Sequence, residues 1–200
     1  MRTLEEAAAA AATCTRCRLS KGRTQVVYGV GSPSADLMFI GEAPGFHEDR
    51  QGEPFVGAAG QLLNRMLAEA GIAREDVYIN NVILCRPPGN RDPYPDEIDA
   101  CSPWLRERIT LIDPRVIVTL GNWATRFILG KQVSISRVRG QRFTVEGRLV
   151  IPTFHPAAIL HGGGDSSSQM TALRADFQEI HAALAEAPKP GGRQEQLGLF

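Results

Sequence analysis

Four short apolar runs limit what this chain can fold into: Leu37-Met-Phe-Ile40, Val77-Tyr-Ile-Asn80, Val116-Ile-Val-Thr-Leu120 and Leu149-Val-Ile151. Each is nearly continuous rather than alternately apolar and polar, as expected of strands covered on both faces, hence of a parallel sheet. Helical patterns fill the intervals. Residues 58–70 place Leu62, Leu63, Met66 and Leu67 on one face and stop at Gly71. Residues 95–109 begin with Pro95 and two acids, residues 122–129 stop at Gly130, and residues 170–184 form a fourth helix. Strands alternating with helices predict a three-layer α/β/α sandwich around a four-stranded parallel sheet. Functional groups belong on loops at the strand C-terminal ends.

A length of 200 residues suits one domain, placed here at residues 1–186, with a tail over 187–200 where Pro, Gly, Lys and Gln take over. With 43% hydrophobic and 22% charged residues the chain can bury a core, which excludes a wholly disordered protein. No apolar run approaches the roughly 18 residues needed to span a bilayer. The alanines Ala7 to Ala12 follow two acids and lack the basic start of a secretion signal. Four cysteines are too few for a disulfide scaffold. A cytoplasmic, monomeric domain is expected.

The formal charge is zero, but it is unevenly spread: residues 36–102 carry net −7 and residues 103–150 net +6. Arg126, Lys131, Arg137, Arg139, Arg142 and Arg148 share the second block with few acids. Such a block is either a face for backbone phosphates or a solvated helix and hairpin.

Cys14 and Cys17 form one pair at metal-ligand spacing, and Cys85 and Cys101 lie far downstream. In a reducing compartment all four can serve one thiolate site, either tetrahedral zinc or an iron–sulfur cluster. The spread second half and the prolines after Cys85 favour [4Fe–4S]; the alternative is two buried cysteines beside an accidental Cys-x-x-Cys.

Three loops carry candidate chemistry. After the first strand comes Gly41-Glu-Ala-Pro-Gly45-Phe-His-Glu48-Asp49, followed by Gly52-Glu-Pro-Phe55-Val-Gly57, a Gly/Pro-dense stretch with carboxylates at 42, 48, 49 and 53. Those carboxylates can accept amide N–H groups or orient water. The second strand ends in Asn80-Asn81, whose amides suit a nucleobase edge or an Asx turn. The fourth ends in Phe154-His155-Pro156-Ala157-Ala158, where a proline follows a histidine placed to act as an electrophile.

Together the Cys14-x2-Cys17, Cys85 and Cys101 set, the GEAPG loop with Glu48-Asp49, the PFVG segment, the NN-to-CRPP strand end and the HPAA loop resemble family 4 uracil-DNA glycosylases, the bacterial and archaeal iron–sulfur type. The resemblance runs from about residue 10 to 185. It implies the uracil-DNA glycosylase fold, a [4Fe–4S] cluster on Cys14, Cys17, Cys85 and Cys101, and uracil-containing DNA, single- or double-stranded, as partner. It also implies that Phe55 stacks on the flipped base, Asn81 bonds its pyrimidine edge, and Glu42, Ala43 and Pro44 line the pocket. Glu48 would exclude the C5 methyl of thymine, and His155 would stabilise charge on uracil O2 as the bond breaks. Better-known uracil glycosylases carry an aspartate where Ala43 stands, so Glu42 becomes the candidate for orienting water. Relatives that bind uracil without releasing it have a glutamine there and an inserted basic loop; this chain has neither.

Two expectations concern apolar residues. Ile159 and Leu160 follow the HPAA turn, and base-flipping proteins insert such side chains into the stack. Leu160 is the expected wedge, Ile159 the second choice, and core packing of both the alternative. At the extreme C-terminus, Gln196, Leu197, Leu199 and Phe200 resemble the peptide by which bacterial repair enzymes dock on the sliding clamp, the alternative being that Leu199 and Phe200 fold back onto a groove of this same domain. With Lys189 in the tail and Lys21 and Lys131 outside the loops, no Schiff-base amine is expected in the pocket, so the enzyme would leave an abasic site uncut. It would work in the cytoplasm, associated with the nucleoid.

Overall fold

The computed structural model describes residues 2–188. Its centre is a six-stranded sheet: β1 (Val30–Gly31), β2 (Leu37–Gly41), β3 (Val77–Asn81), β4 (Val116–Leu120), β5 (Phe143–Val145) and β6 (Arg148–Thr153), in the order β1-β3-β2-β4-β6-β5. The four expected strands are the parallel core, β3-β2-β4-β6. Two short antiparallel strands extend the expected sheet of four. β1 pairs with β3 and β5 with β6. Neither carries a continuous apolar run, because an edge strand buries little of itself.

Helices cover both faces: α1 (Leu4–Ala12), α2 (Phe46–Gln51), α3 (Ala58–Glu69), α4 (Pro95–Ile112), α5 (Gly121–Leu129), α6 (Ile135–Val138), α7 (Pro156–His161) and α8 (Ser168–Glu186). Strand alternation divides the core. Leu37, Phe39, Val77, Ile79, Val116, Val118 and Ile151 meet α3 and α8 through Leu63, Met66, Leu67, Leu173, Phe177 and Ile180. Met38, Ile40, Tyr78, Ile117 and Val150 face Ala7, Ala11, Trp104, Leu105 and Ala124 of α1, α4 and α5. Every residue of β2, β3 and β4 is buried, which accounts for their unbroken apolar reading.

α1, α2, α6 and α7 are additions to the expected helices. α2 and α7 lie inside stretches whose glycines and prolines read as loops. Each is a six-residue helix, too short for a periodic signal. Three of the six residues of the basic block are paired with acids. Arg139 bonds Asp176, Arg142 bonds Glu179 and Glu186, and Arg148 bonds Asp113. At the C-terminal end of α8, Ala187 is buried and its carbonyl accepts a 2.5 Å bond from Arg115. The expected clamp peptide, Gln196, Leu197, Leu199 and Phe200, lies outside the described residues. No described helix is long and apolar enough to cross a membrane.

Candidate active site

The parallel strands β2, β3 and β6 end beside one pocket of about 440 Å³. Glu42, Ala43, Pro44, Glu48, Phe55, Asn81 and His155 all line it, so the seven expected pocket residues, far apart in sequence, come together.

Phe55 is held unusually firmly for a loop residue. Its backbone is left-handed (φ 56°), a conformation that costs a side-chain-bearing residue free energy and persists only under outside restraint. Gly60 supplies one restraint, since a Cβ there would stand 1.7 Å from the Phe55 carbonyl oxygen. Glu48 supplies another: one carboxylate oxygen accepts from the amides of Val56 (3.0 Å) and Gly57 (2.9 Å). Thus Glu48 braces the Phe55 segment as well as facing the pocket. Gly41 lets the ring approach the sheet; a Cβ there would lie 2.7 Å from Phe55 Cζ and 2.4 Å from Asn81 Oδ1. The ring stacks on His155 at 5.6 Å. Of the other two loop acids, Asp49 is buried and accepts the Thr24 amide at 2.9 and 3.1 Å, a structural role, and Glu53 is exposed outside the pocket lining.

Asn81 ends β3 with its side chain buried against the pocket, and Oδ1 has no hydrogen-bond partner. A buried acceptor left so costs free energy until something donates to it. Its backbone is fixed from behind: Arg108 of α4 donates to the Asn81 carbonyl at 3.0 Å, to the Trp104 carbonyl at 3.2 Å and to the Tyr28 carbonyl. Arg108 is wholly buried and has no carboxylate partner among the described residues. An arginine on an amphipathic helix reads as solvent-facing, so the sequence gives no sign of this role.

His155 caps α7. Its Nδ1 accepts the Ala157 amide at 3.1 Å. A nitrogen that accepts carries no proton, so the neutral ring bears its hydrogen on Nε2 and can donate from there. Burial disfavours the cation and pushes the pKa down to about 4, against a smaller opposing pull from the charge of Glu48. The imidazole is therefore a neutral donor at pH 7. Glu42 moves the other way. Burial, helped by the charge of Asp92, raises its carboxyl to about 7, so it is poised between acid and base.

The rim includes residues that stand out less in sequence: Ala59, Pro87, Asn90, Arg91 and His161. Asn90 and Arg91 follow Cys85 in a Pro/Gly loop at the end of the β3 segment, and that position was the available signal. Arg91 is tied to Glu97 by bonds of 2.9 and 2.7 Å. Of the two wedge candidates, Leu160 is 44% exposed, whereas Ile159 is fully buried in the core. α7 explains the split: successive residues on a helix point about 100° apart, so exposing one turns the next inward. The second-choice assignment of Ile159 is thereby corrected.

The four cysteines line a second, small cavity, together with Arg16, Ser20, Arg23, Leu84 and Ala100. All are free thiols. Three N–H donors point at sulfur: Arg23 Nη1 to Cys85 (3.4 Å), the Leu84 amide to Cys101 (3.4 Å) and Trp104 Nε1 to Cys14 (3.3 Å). Burial pushes the Cys101 thiol up to about 12 and also raises that of Cys85, with Arg23 pulling the latter back. Among the described residues no three Cys, His, Asp or Glu side chains meet as ligands to a single ion. The four sulfurs share a cavity rather than a point.

Comparison with known proteins follows the same line. The model of the Uracil DNA glycosylase superfamily matches residues 28–178. A type-4 uracil-DNA glycosylase of Sulfurisphaera tokodaii is 44% identical over 198 residues, 94% of this chain and 88% of the relative. One from Archaeoglobus fulgidus is 47% identical over 80% of this chain and 85% of its own length. One from Thermotoga maritima is 52% identical over 74% and 78%.

Proposed function

The chain belongs to the Uracil DNA glycosylase superfamily, and from that premise we propose that it hydrolyses the N-glycosidic bond of deoxyuridine in DNA, releasing uracil and leaving an abasic site. The observation that carries this reading at the level of the site is the buried, unpartnered Oδ1 of Asn81 beside the Phe55 ring. An extruded uracil would stack on Phe55 and give its N3–H to that oxygen, while the Asn81 NH2 donates to O4. Cytosine offers no hydrogen at N3, so the same acceptor would stay unpaired. Glu48, anchored by two amides, would stand against the C5 methyl of a thymine and exclude it.

As the bond between C1′ and N1 lengthens, both of its electrons go to the base. His155 Nε2–H meets the charge gathering on O2, and because the ring is a neutral donor it stabilises that charge without first giving up a proton. Such a preorganised donor typically supplies about 3–4 kcal/mol. Water adds to C1′ through its oxygen. Glu42, in its ionised form, would orient that water and take its proton, since Ala43 has no group to do so.

For the second cavity we propose a [4Fe–4S] cluster held by Cys14, Cys17, Cys85 and Cys101. A donor set of four thiols, with N–H groups already aimed at three of them, suits an anionic cluster. The four thiols line one cavity and would each serve as a thiolate ligand to the cluster. When bound, the cluster supplies a cross-link between the N-terminal segment and α4. Glycosidic hydrolysis transfers no electrons, so its role is structural.

The test is a gel assay on a labelled oligonucleotide holding one uracil. Alkali should cleave the strand only after incubation with the enzyme, and borohydride should trap no adduct. An intact strand after alkali overturns the reading. An absorbance band near ~400 nm in the purified protein tests the cluster separately.

A further inference from the structure

Three large apolar side chains are exposed among the described residues: Phe46, Tyr94 and Leu160. Two of them carry stacked arginines, with opposite charge balance. Over Tyr94 lie Arg91 and Arg18, and both are bonded to acids, Glu97 and Asp96. Over Phe46 lie Arg50, its guanidinium carbon 5.6 Å from the ring centroid, and Arg86, at 5.1 Å. Neither of these is paired with a carboxylate among the described residues.

The Phe46 cluster sits at the pocket mouth. Phe46 directly follows Gly45, which lines the pocket, and Arg86 donates from Nε to Oδ1 of Asn90, also a lining residue, at 2.7 Å. That bond leaves the two terminal nitrogens of Arg86 free. Two guanidiniums gathered on one exposed ring repel each other, and an anion between them would relieve the repulsion. The surrounding segment, residues 36–102, is net −7. Within that segment Arg50 and Arg86 are bases without a carboxylate partner among the described residues, and so are available to a polyanion approaching the pocket.

We propose that Arg50 and Arg86 grip a phosphodiester next to the extruded deoxyuridine, with Phe46 packing against the adjoining sugar. A planar guanidinium can take phosphate oxygens in pairs. The subsite rests on the pocket being the seat of deoxyuridine.

Its test is binding of the full chain to a single-stranded oligonucleotide carrying uncleavable 2′-fluorodeoxyuridine, read by anisotropy across a salt series. Arg50→Gln and Arg86→Gln should each weaken binding about 5–10-fold and reduce the slope of log K against log salt by roughly 0.7, the share of one phosphate contact on a single strand. Arg86→Lys, which keeps the charge, should restore the slope. Phe46→Leu should weaken binding a few-fold at unchanged slope. Replacing linkages one at a time by neutral methylphosphonate should reveal one position at which wild type and Arg86→Gln bind equally. Unchanged slopes in both variants, or no such position, overturns the proposal. So does an equal loss of affinity for free uracil, which cannot reach the subsite. If wild type neither binds this probe nor excises uracil, the pocket reading has failed instead.

Discussion

The pocket at the strand ends and the cavity among the cysteines both lean on α4, yet they handle charge in opposite ways. In the pocket, charge is withheld: His155 is kept neutral, Glu42 is held near half protonation, and Asn81 presents an oxygen without a partner. Around the cysteines donors are already spent, with Arg23, Trp104 and the Leu84 amide committed to sulfur. The first arrangement suits negative charge that appears briefly during a reaction; the second suits negative charge that stays. A preorganised site can therefore be recognised by what it leaves unsatisfied as well as by what it binds.

The largest effect expected is at His155. His155→Ala should lower the single-turnover excision rate by roughly 10²–10³-fold with little change in DNA affinity, because its donor acts as charge develops. If affinity collapses and the rate per bound complex survives, the ring is only the cap of α7.

Glu42 should set the pH profile. Its carboxyl titrates at about 7 and the ionised form is the one required, so the rate should rise about tenfold per pH unit below 7 and level off above. His155, lowered to about 4, adds no inflection in that range. Glu42→Gln should cost roughly 10–100-fold and flatten the profile. A flat wild-type profile would remove Glu42 from the water-orienting role.

On the other side of the contrast, Cys101→Ala should lower the melting temperature by roughly 5–15 °C, on the scale of a few kcal/mol lost from a domain of this size, with the rate of the folded fraction changing much less. A stable, colourless and fully active Cys101→Ala protein would make the cysteine cavity ordinary core.

Smaller still, Leu160→Ala should slow excision from U·A pairs several-fold more than from single strands, as expected of a side chain that fills the vacated stack. Equal losses on both substrates would return Leu160 to mere surface. Deleting residues 196–200 should leave excision from short oligonucleotides unchanged and abolish capture by the sliding clamp in a pull-down.

The parallel core was legible in the sequence because burial on both faces leaves an unmistakable apolar run, as in Leu37–Ile40. β1 and β5 were not, since edge strands of two and three residues bury too little to leave a pattern. The pocket residues were found because glycine, proline and polar side chains cluster at strand ends. Their electrostatics were hidden. That His155 lends Nδ1 to a helix cap, and that Phe55 is held left-handed over Gly60, are facts of three-dimensional packing. Ile159 was misjudged because six helical residues look like a loop when proline begins them and glycines follow. Arg108 was invisible for a different reason: nothing in a helical pattern distinguishes a buried arginine from a solvated one.

α1 lies on α4, joined to it by the Arg2–Glu107 ion pair and by the Trp104–Cys14 contact. A chain emerges from the ribosome in order, N-terminus first. α1 must therefore wait, with its alanine face uncovered and Cys14 and Cys17 unmatched, until Trp104 and Glu107 have been synthesised. Only then does Arg108 arrive to fasten the carbonyl of Asn81, which was made earlier. The β3 end of the pocket is thus finished by residues translated after it, and a nascent chain stalled short of α4 would hold most of the pocket's lining without the bond that fixes the Asn81 backbone.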